Sequence, residues 1–175
     1  MLQSYDRGMD LDRTTNLVGA LGMALADGQE RAMRDASGLS DTEVAALNVV
    51  GQDPGLSIGE VRAALDLTHP GTVRVVDRLV AHGLLVRGPG ADGRRVGLRL
   101  TSDGERTFRR QTRARVRWLT PFATALGPDA EAVVERLLAL TDGTEEDGEH
   151  LCRLCDERAC PQDRCPVTIA VGKDP

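Results

Sequence analysis

The sequence predicts a mainly α (α+β) fold, a winged helix-turn-helix whose N- and C-terminal helices form a dimerisation layer. Three observations carry the prediction. Ser57 to Thr101 reads as a short helix, a turn, a second helix and a glycine-rich basic hairpin with no long loop between them. Basic charge is concentrated over that centre, and the helices on either side are too apolar on one face for their length.

In chain order, Leu17, Leu21, Ala24, Leu25 and Ala32 recur at helical spacing from Leu11 to about Asp35, with Asp10 or Asp12 able to cap. A long helix rich in Gly and Ala is marginal alone and needs a partner surface. Ser37-Gly38-Leu39-Ser40 breaks it, and Ser40 with Glu43 forms a capping-box pattern that opens a second helix through Val44, Leu47 and Val50. Asp53-Pro54-Gly55 ends that helix.

The head, at about 40–100, continues with a helix over 57–66 capped by Ser57 and Glu60, with Ile58, Val61 and Leu65 facing inward. Leu67-Thr68-His69 is the turn. Pro70 starts the next helix, whose inward stripe is predicted as Val73, Val76, Leu79 and Val80, and His82-Gly83 ends it. Thr68, His69, Thr72, Arg74 and Arg78 are the candidate DNA contacts, Arg74 the foremost for a base edge. For Arg78 an ion pair with Asp77 or another acid is the competing role. Leu84 to Val86 and Arg94 to Leu100 are strand candidates around a predicted turn at 88–93, and Arg94 and Arg95 at the hairpin tip are the candidate wing contacts.

Beyond the hairpin, Thr101 to Glu105 opens a helix carrying Phe108, Thr112, Val116 and Leu119 on one face, with an expected end or kink near Thr120-Pro121. Gly127-Pro128-Asp129 restarts a helix with an apolar face of Val133, Val134, Leu137, Leu138 and Leu140. The regulator domain is thus predicted over 11–141, followed by an acidic linker at 142–151, a four-cysteine motif at 152–166 and a tail from Val167. The bland alternative for the terminal helices is packing on each other within one chain.

Charge locates the binding surface. The net charge of −5 divides into −5 over 1–56, +7 over 57–117 and −7 over 118–175, a basic centre between acidic flanks. That is the footprint of phosphate contact, and double-stranded DNA is the expected partner. Aromatic side chains make up only 2% of the chain, which argues against modules that stack single-stranded bases. No run of apolar residues is long enough for a membrane span, and the first residues lack a signal-peptide pattern, so a soluble cytoplasmic protein is expected. Gly88, Gly90 and Gly93 lie in a hairpin with no strand-to-helix context, and Asp66, Asp77 and Asp92 fall in different elements without a clustered His or Glu. No enzymatic site is expected.

Cys152, Cys155, Cys160 and Cys165 are the one constellation suited to a cofactor. Four thiolates complete a tetrahedral shell for structural Zn, and the first pair has the spacing that lets two sulfurs reach one ion. The same ligands suit an Fe-S cluster or a dithiol redox switch. His150 is a possible replacement ligand, with a place in the linker as its alternative.

Asp77-Arg78-Leu79, His82 to Arg87, Asp92-Gly93-Arg94-Arg95, Leu100-Thr101 and Gly104 together resemble the MarR family of bacterial transcription regulators over about residues 12–141. The resemblance implies a homodimer with the Pro70–His82 helix in the major groove, Asp92 bracing the hairpin, Arg94 in the minor groove and Arg74 at a recognition position. It also implies a repressor of a pseudo-palindromic operator, relieved by a small apolar or aromatic effector bound where the dimer layer meets the head. The cysteine motif lies outside the family pattern, which leaves open a metal, Fe-S or redox-sensing repressor, and also an adaptor that binds protein rather than DNA.

Overall fold

The computed structural model describes residues 10–90, 95–141, 143–160 and 164–170. Helix α1 (Leu11–Ser37) begins on Asp10, whose side chain accepts from the Arg13 N–H, and stops at Gly38, where φ is 75°. Helix α2 (Asp41–Gln52) follows with the Ser40–Glu43 capping box formed as expected. Helix α3 (Ile58–Leu65) opens on the Ser57–Glu60 box, and helix α4 (His69–Ala81) on Thr68, with Pro70 in its first turn.

Strands β1 (Leu85–Pro89) and β2 (Val96–Leu100) pair antiparallel, with Leu85 opposite Leu100 and Pro89 opposite Val96. Gly88 and Pro89, expected in the turn, are therefore strand residues. Proline lacks only a donor, which the terminal rung of a two-stranded ladder can spare. The chain entering α3 lies against the other edge of β2: Gly55 N–H donates to the Leu98 carbonyl at 2.8 Å and Leu98 N–H to the Leu56 carbonyl at 2.9 Å. A Cβ on Gly97 would fall 2.5 Å from the Gly55 carbonyl oxygen, so this approach requires glycine.

Helix α5 (Ser102–Ala125) runs antiparallel to α1, with contacts pairing Gly28 with Trp118, Gln29 with Arg115 and Ala36 with Arg110. A Cβ on Gly28 would sit 1.9 Å from the Trp118 ring, which shows how closely the two helices approach. Of the two expectations at Thr120-Pro121, an end or a kink, the end is overturned. Pro121 is exposed, and the helix continues through it to Ala125 because the carbonyl deprived of its partner can meet solvent. The core beneath gathers Met33, Leu47, Val50, Val61, Val76, Leu79, Leu85, Leu98 and Phe108 from both layers. Buried Gln111 of α5 spends its amide N–H on the Val44 carbonyl of α2 at 3.0 Å, joining the layers by a polar bond inside that core.

Helix α6 (Ala130–Leu138) buries no side chain in the single chain. Two expectations about the C-terminal region need correction. The acidic linker contains helix α7 (Glu145–Cys152), started by a Thr144–Asp147 capping box, and the tail contains helix α8 (Pro166–Ala170), with Val167 buried. The acidic run hid a capping signal, and a five-residue helix is too short to show a period.

Candidate nucleic-acid interface

Helix α4 is held in the head by Thr72, Val75, Val76 and Leu79. The inward stripe is thus rotated from the one predicted. Val75 takes the place given to Val73, and Val80 packs only partly against the core. Thr72 is fully buried, its hydroxyl donating to the Thr68 carbonyl at 3.2 Å, so this candidate contact is a packing residue and does not face a groove. The Thr68 hydroxyl oxygen accepts from the Gly71 N–H at 3.3 Å as the N-cap. Thr68, His69 and Arg74 all stand exposed at the helix start and along its outer face.

The two charged residues that follow Arg74 on α4 are already engaged. Asp77 accepts from Arg87 of β1 at 2.6 Å, and Arg78 donates through Nε to Oε1 of Glu43 at 2.8 Å. The acid partner of Arg78 is therefore Glu43 of α2, not Asp77. Burial alone would raise the Glu43 carboxyl, but hydrogen bonds from Ser40 and Arg78 outweigh it and hold the pKa down at about 2. Arg74 makes no ion pair or hydrogen bond among the described residues, which leaves its guanidinium free for an external acceptor.

Arg95 is exposed, and its carbonyl accepts from Gly90 N–H at 2.7 Å across the hairpin. Asp92 and Arg94 lie outside the described residues. Of the basic residues on α5, Arg106 pairs with Asp103, Arg109 with Glu105, and Arg115 donates to Gln29. Arg106, Arg109, Arg110, Arg113 and Arg117 line an open cleft of about 350 Å³. Much of the central positive charge counted in the sequence thus belongs to α5 and not to the head.

The cysteine segment folds back onto α2. Cys155 N–H donates to the Cys152 carbonyl at 2.8 Å, closing a tight turn. The Arg153 and Cys155 carbonyls both accept from the Asn48 side-chain amide at 3.0 Å, and Cys155 accepts a second bond from Gln52 at 3.1 Å. Leu154 enters the core, and Arg153 pairs with Glu30 of α1 at 3.0 Å.

All four cysteines are free thiols, and Cys165 is buried. A hydrogen bond from Cys152 lowers the Cys155 thiol to about 6, helped by Arg115 and Arg153 against burial and Glu157, while the same bond raises Cys152. Burial and neighbouring Cys165 push Cys160 up to about 11. Against the effect of burial, hydrogen bonds from Thr168 and Val167 lower Cys165. Among the described residues, no three His, Cys, Asp or Glu side chains stand as a ready-made metal cage.

Sequence reasoning missed Glu43, Asn48 and Gln52 as partners of these sites. Asn48 and Gln52 were legible as polar residues four apart on an otherwise apolar helix, a pattern that asks for hydrogen-bonding partners.

A MarR family model matches residues 37–95, from the end of α1 to the residue before β2. A proposed transcriptional regulatory protein for the hcr operon of Thauera aromatica is 33% identical over 124 residues, covering 66% of this chain and 74% of that protein. The PcaV transcriptional regulator from Streptomyces coelicolor, solved with its natural ligand, is 30% identical with a TM-score of 0.51, covering 69% of this chain and 87% of that one. NadR in complex with 4-hydroxyphenylacetate shares the fold at 21% identity and a TM-score of 0.56, covering 79% of this chain and 95% of its own. Fold, head and relatives define a winged helix-turn-helix transcription regulator that binds DNA. The chain belongs to the MarR family. No helix among the described residues is long and apolar enough to cross a membrane.

Proposed function

We propose that this regulator is a homodimeric repressor of a pseudo-palindromic operator, with one α4 in the major groove at each half-site. The observation that carries the reading is Arg74, exposed and unpaired among the described residues, while Asp77 and Arg78 beside it on α4 are held by internal ion pairs. A guanidinium there suits the bidentate contact to a guanine edge, with Thr68 and His69 near the phosphates at the helix start. Arg94 and Arg95 serve as the wing contacts, with Asp92 as the brace of the hairpin.

Two-fold pairing accounts for apolar residues that one chain leaves exposed. Leu11, Leu17, Val18 and Leu21 of α1, Phe122 of α5, and Val134 and Leu137 of α6 are at least a third exposed, and a second copy would cover them. The effector is a small apolar or aromatic molecule, a reading supported by PcaV, 30% identical to this chain and solved with its natural ligand. Such a ligand changes operator affinity by favouring a different spacing of the two reading heads.

Duplex binding followed by fluorescence anisotropy tests the reading. Arg74→Ala is expected to lower affinity for operator far more than for unrelated duplex, whereas Arg95→Ala lowers both and flattens the salt dependence. If Arg74→Ala binds operator like the parent chain, the placement of α4 is wrong.

A second reading has its own observation. The bonds from Asn48 and Gln52 to the Cys155 turn attach the cysteine segment to α2, the first helix of the head, which supports metal or redox state at the cysteines as a second input to DNA affinity.

A further inference from the structure

The cysteine segment does not wander from the domain. Cys152 ends α7, Cys155 follows one tight turn later, Cys160 lies on the next turn, where its N–H donates to the Asp156 carbonyl at 3.1 Å, and Cys165 directly precedes α8. Helix α8 packs on α7, which brings Cys165 up beside Cys152, and the thiols of this segment lie close enough to act on one another's protonation.

We infer that Cys152, Cys155, Cys160 and Cys165 form a tetrathiolate site for one zinc ion per chain, which fastens the C-terminal segment to α2.

Three features support a single ion. The turn from Cys152 to Cys155 is closed by its own backbone bond, the arrangement that presents two sulfurs to one metal. Thiols in mutual contact are spaced roughly as the edge of a tetrahedron with Zn–S distances of about 2.3 Å. A four-iron cluster would hold its cysteine sulfurs much farther apart. The turn is also fixed from outside, because Asn48 and Gln52 hold the Arg153 and Cys155 carbonyls and Leu154 is anchored in the core. Since no cage stands ready-made among the described residues, the thiols rotate inward as the ion binds and release their protons to solvent.

The position gives the site its consequence. The segment is tied to α2 by the Asn48 and Gln52 bonds to its carbonyls and to α1 by the Arg153–Glu30 ion pair, so the ion secures the long N-terminal helix and the first helix of the head.

The test uses the full chain, purified under reducing conditions with no metal added. Elemental analysis is expected to find one zinc per chain. Protein stripped and reloaded with cobalt(II) is expected to show the sulfur-to-metal charge-transfer and visible bands of a tetrahedral thiolate site. Cys152→Ser and Cys165→Ser should each lose stoichiometric zinc, and zinc should shield all four thiols of the parent chain from alkylation. Iron with inorganic sulfide, a pair of disulfides, four thiols whose alkylation zinc leaves unchanged, or zinc retained at the parent level by either serine variant would each overturn the site.

Discussion

The Nε of Arg78 on α4 donates to Oε1 of Glu43 on α2 at 2.8 Å, an ion pair with a buried carboxylate and a half-exposed guanidinium. One side of this contact orients α4, and the other completes the cap of α2 through Ser40. Glu43 has an ordinary value of 4.5 and sits at about 2 in the fold, so its contribution to stability is full above pH 4.5 and is lost as pH falls towards 2. With Arg78 partly solvated, Glu43→Gln is expected to cost about 1–3 kcal/mol at neutral pH. Urea midpoints measured across the acid range should then slope less in the variant than in the parent. Equal slopes would mean that Glu43 is not the titrating group.

Arg74 stands apart from that network. Arg74→Ala should leave the unfolding free energy in urea within about 0.5 kcal/mol of the parent, as for an exposed side chain without partners among the described residues. Its operator affinity should fall by about 1–3 kcal/mol, the usual worth of a bidentate base contact. Arg78→Ala should show the opposite balance, a loss of stability first and of affinity only through the loosened helix.

The apolar face along α1 and α6 predicts the assembly. Leu17 and Leu137 are 51% and 56% exposed in one chain, and a charge at either position would have to be buried on pairing. Leu17→Glu and Leu137→Glu should therefore shift sedimentation towards monomer and weaken operator binding, while circular dichroism shows the helices retained. A dimer unchanged in both variants would place the interface elsewhere.

Gly104 marks where α5 is bolted to the hairpin. A Cβ there would lie 2.0 Å from the Leu84 carbonyl oxygen, and that oxygen already accepts from Thr101 N–H at 3.0 Å. Backbone must move to admit it, so Gly104→Ala should cost more than about 2 kcal/mol in thermal or urea unfolding. Gly88→Ala meets nothing within 4 Å and should be close to neutral, which makes it the control.

Local signals were legible in the sequence because their causes are local. Ser40 with Glu43, Ser57 with Glu60, Pro70 at a helix start and Gly38 at a helix end each act within one turn, and each element they mark is present. The order of helices and hairpin, and with it the family resemblance, followed from those signals. Pro121 misled for the same reason. Locally it breaks a helix, yet an exposed carbonyl there loses little.

By itself, then, the sequence determined the kind of fold, the place of the reading head and the four thiols. The tertiary structure alone decided which residues of α4 face outward, since Thr72 and Val73 differ by a rotation that only packing against α2 and the hairpin resolves. It likewise decided that Arg78 belongs to Glu43, 35 residues away, and that the Cys155 turn belongs to Asn48, 107 residues away. Pairings over such separations are set by how helices stack, and no periodicity along the chain records them.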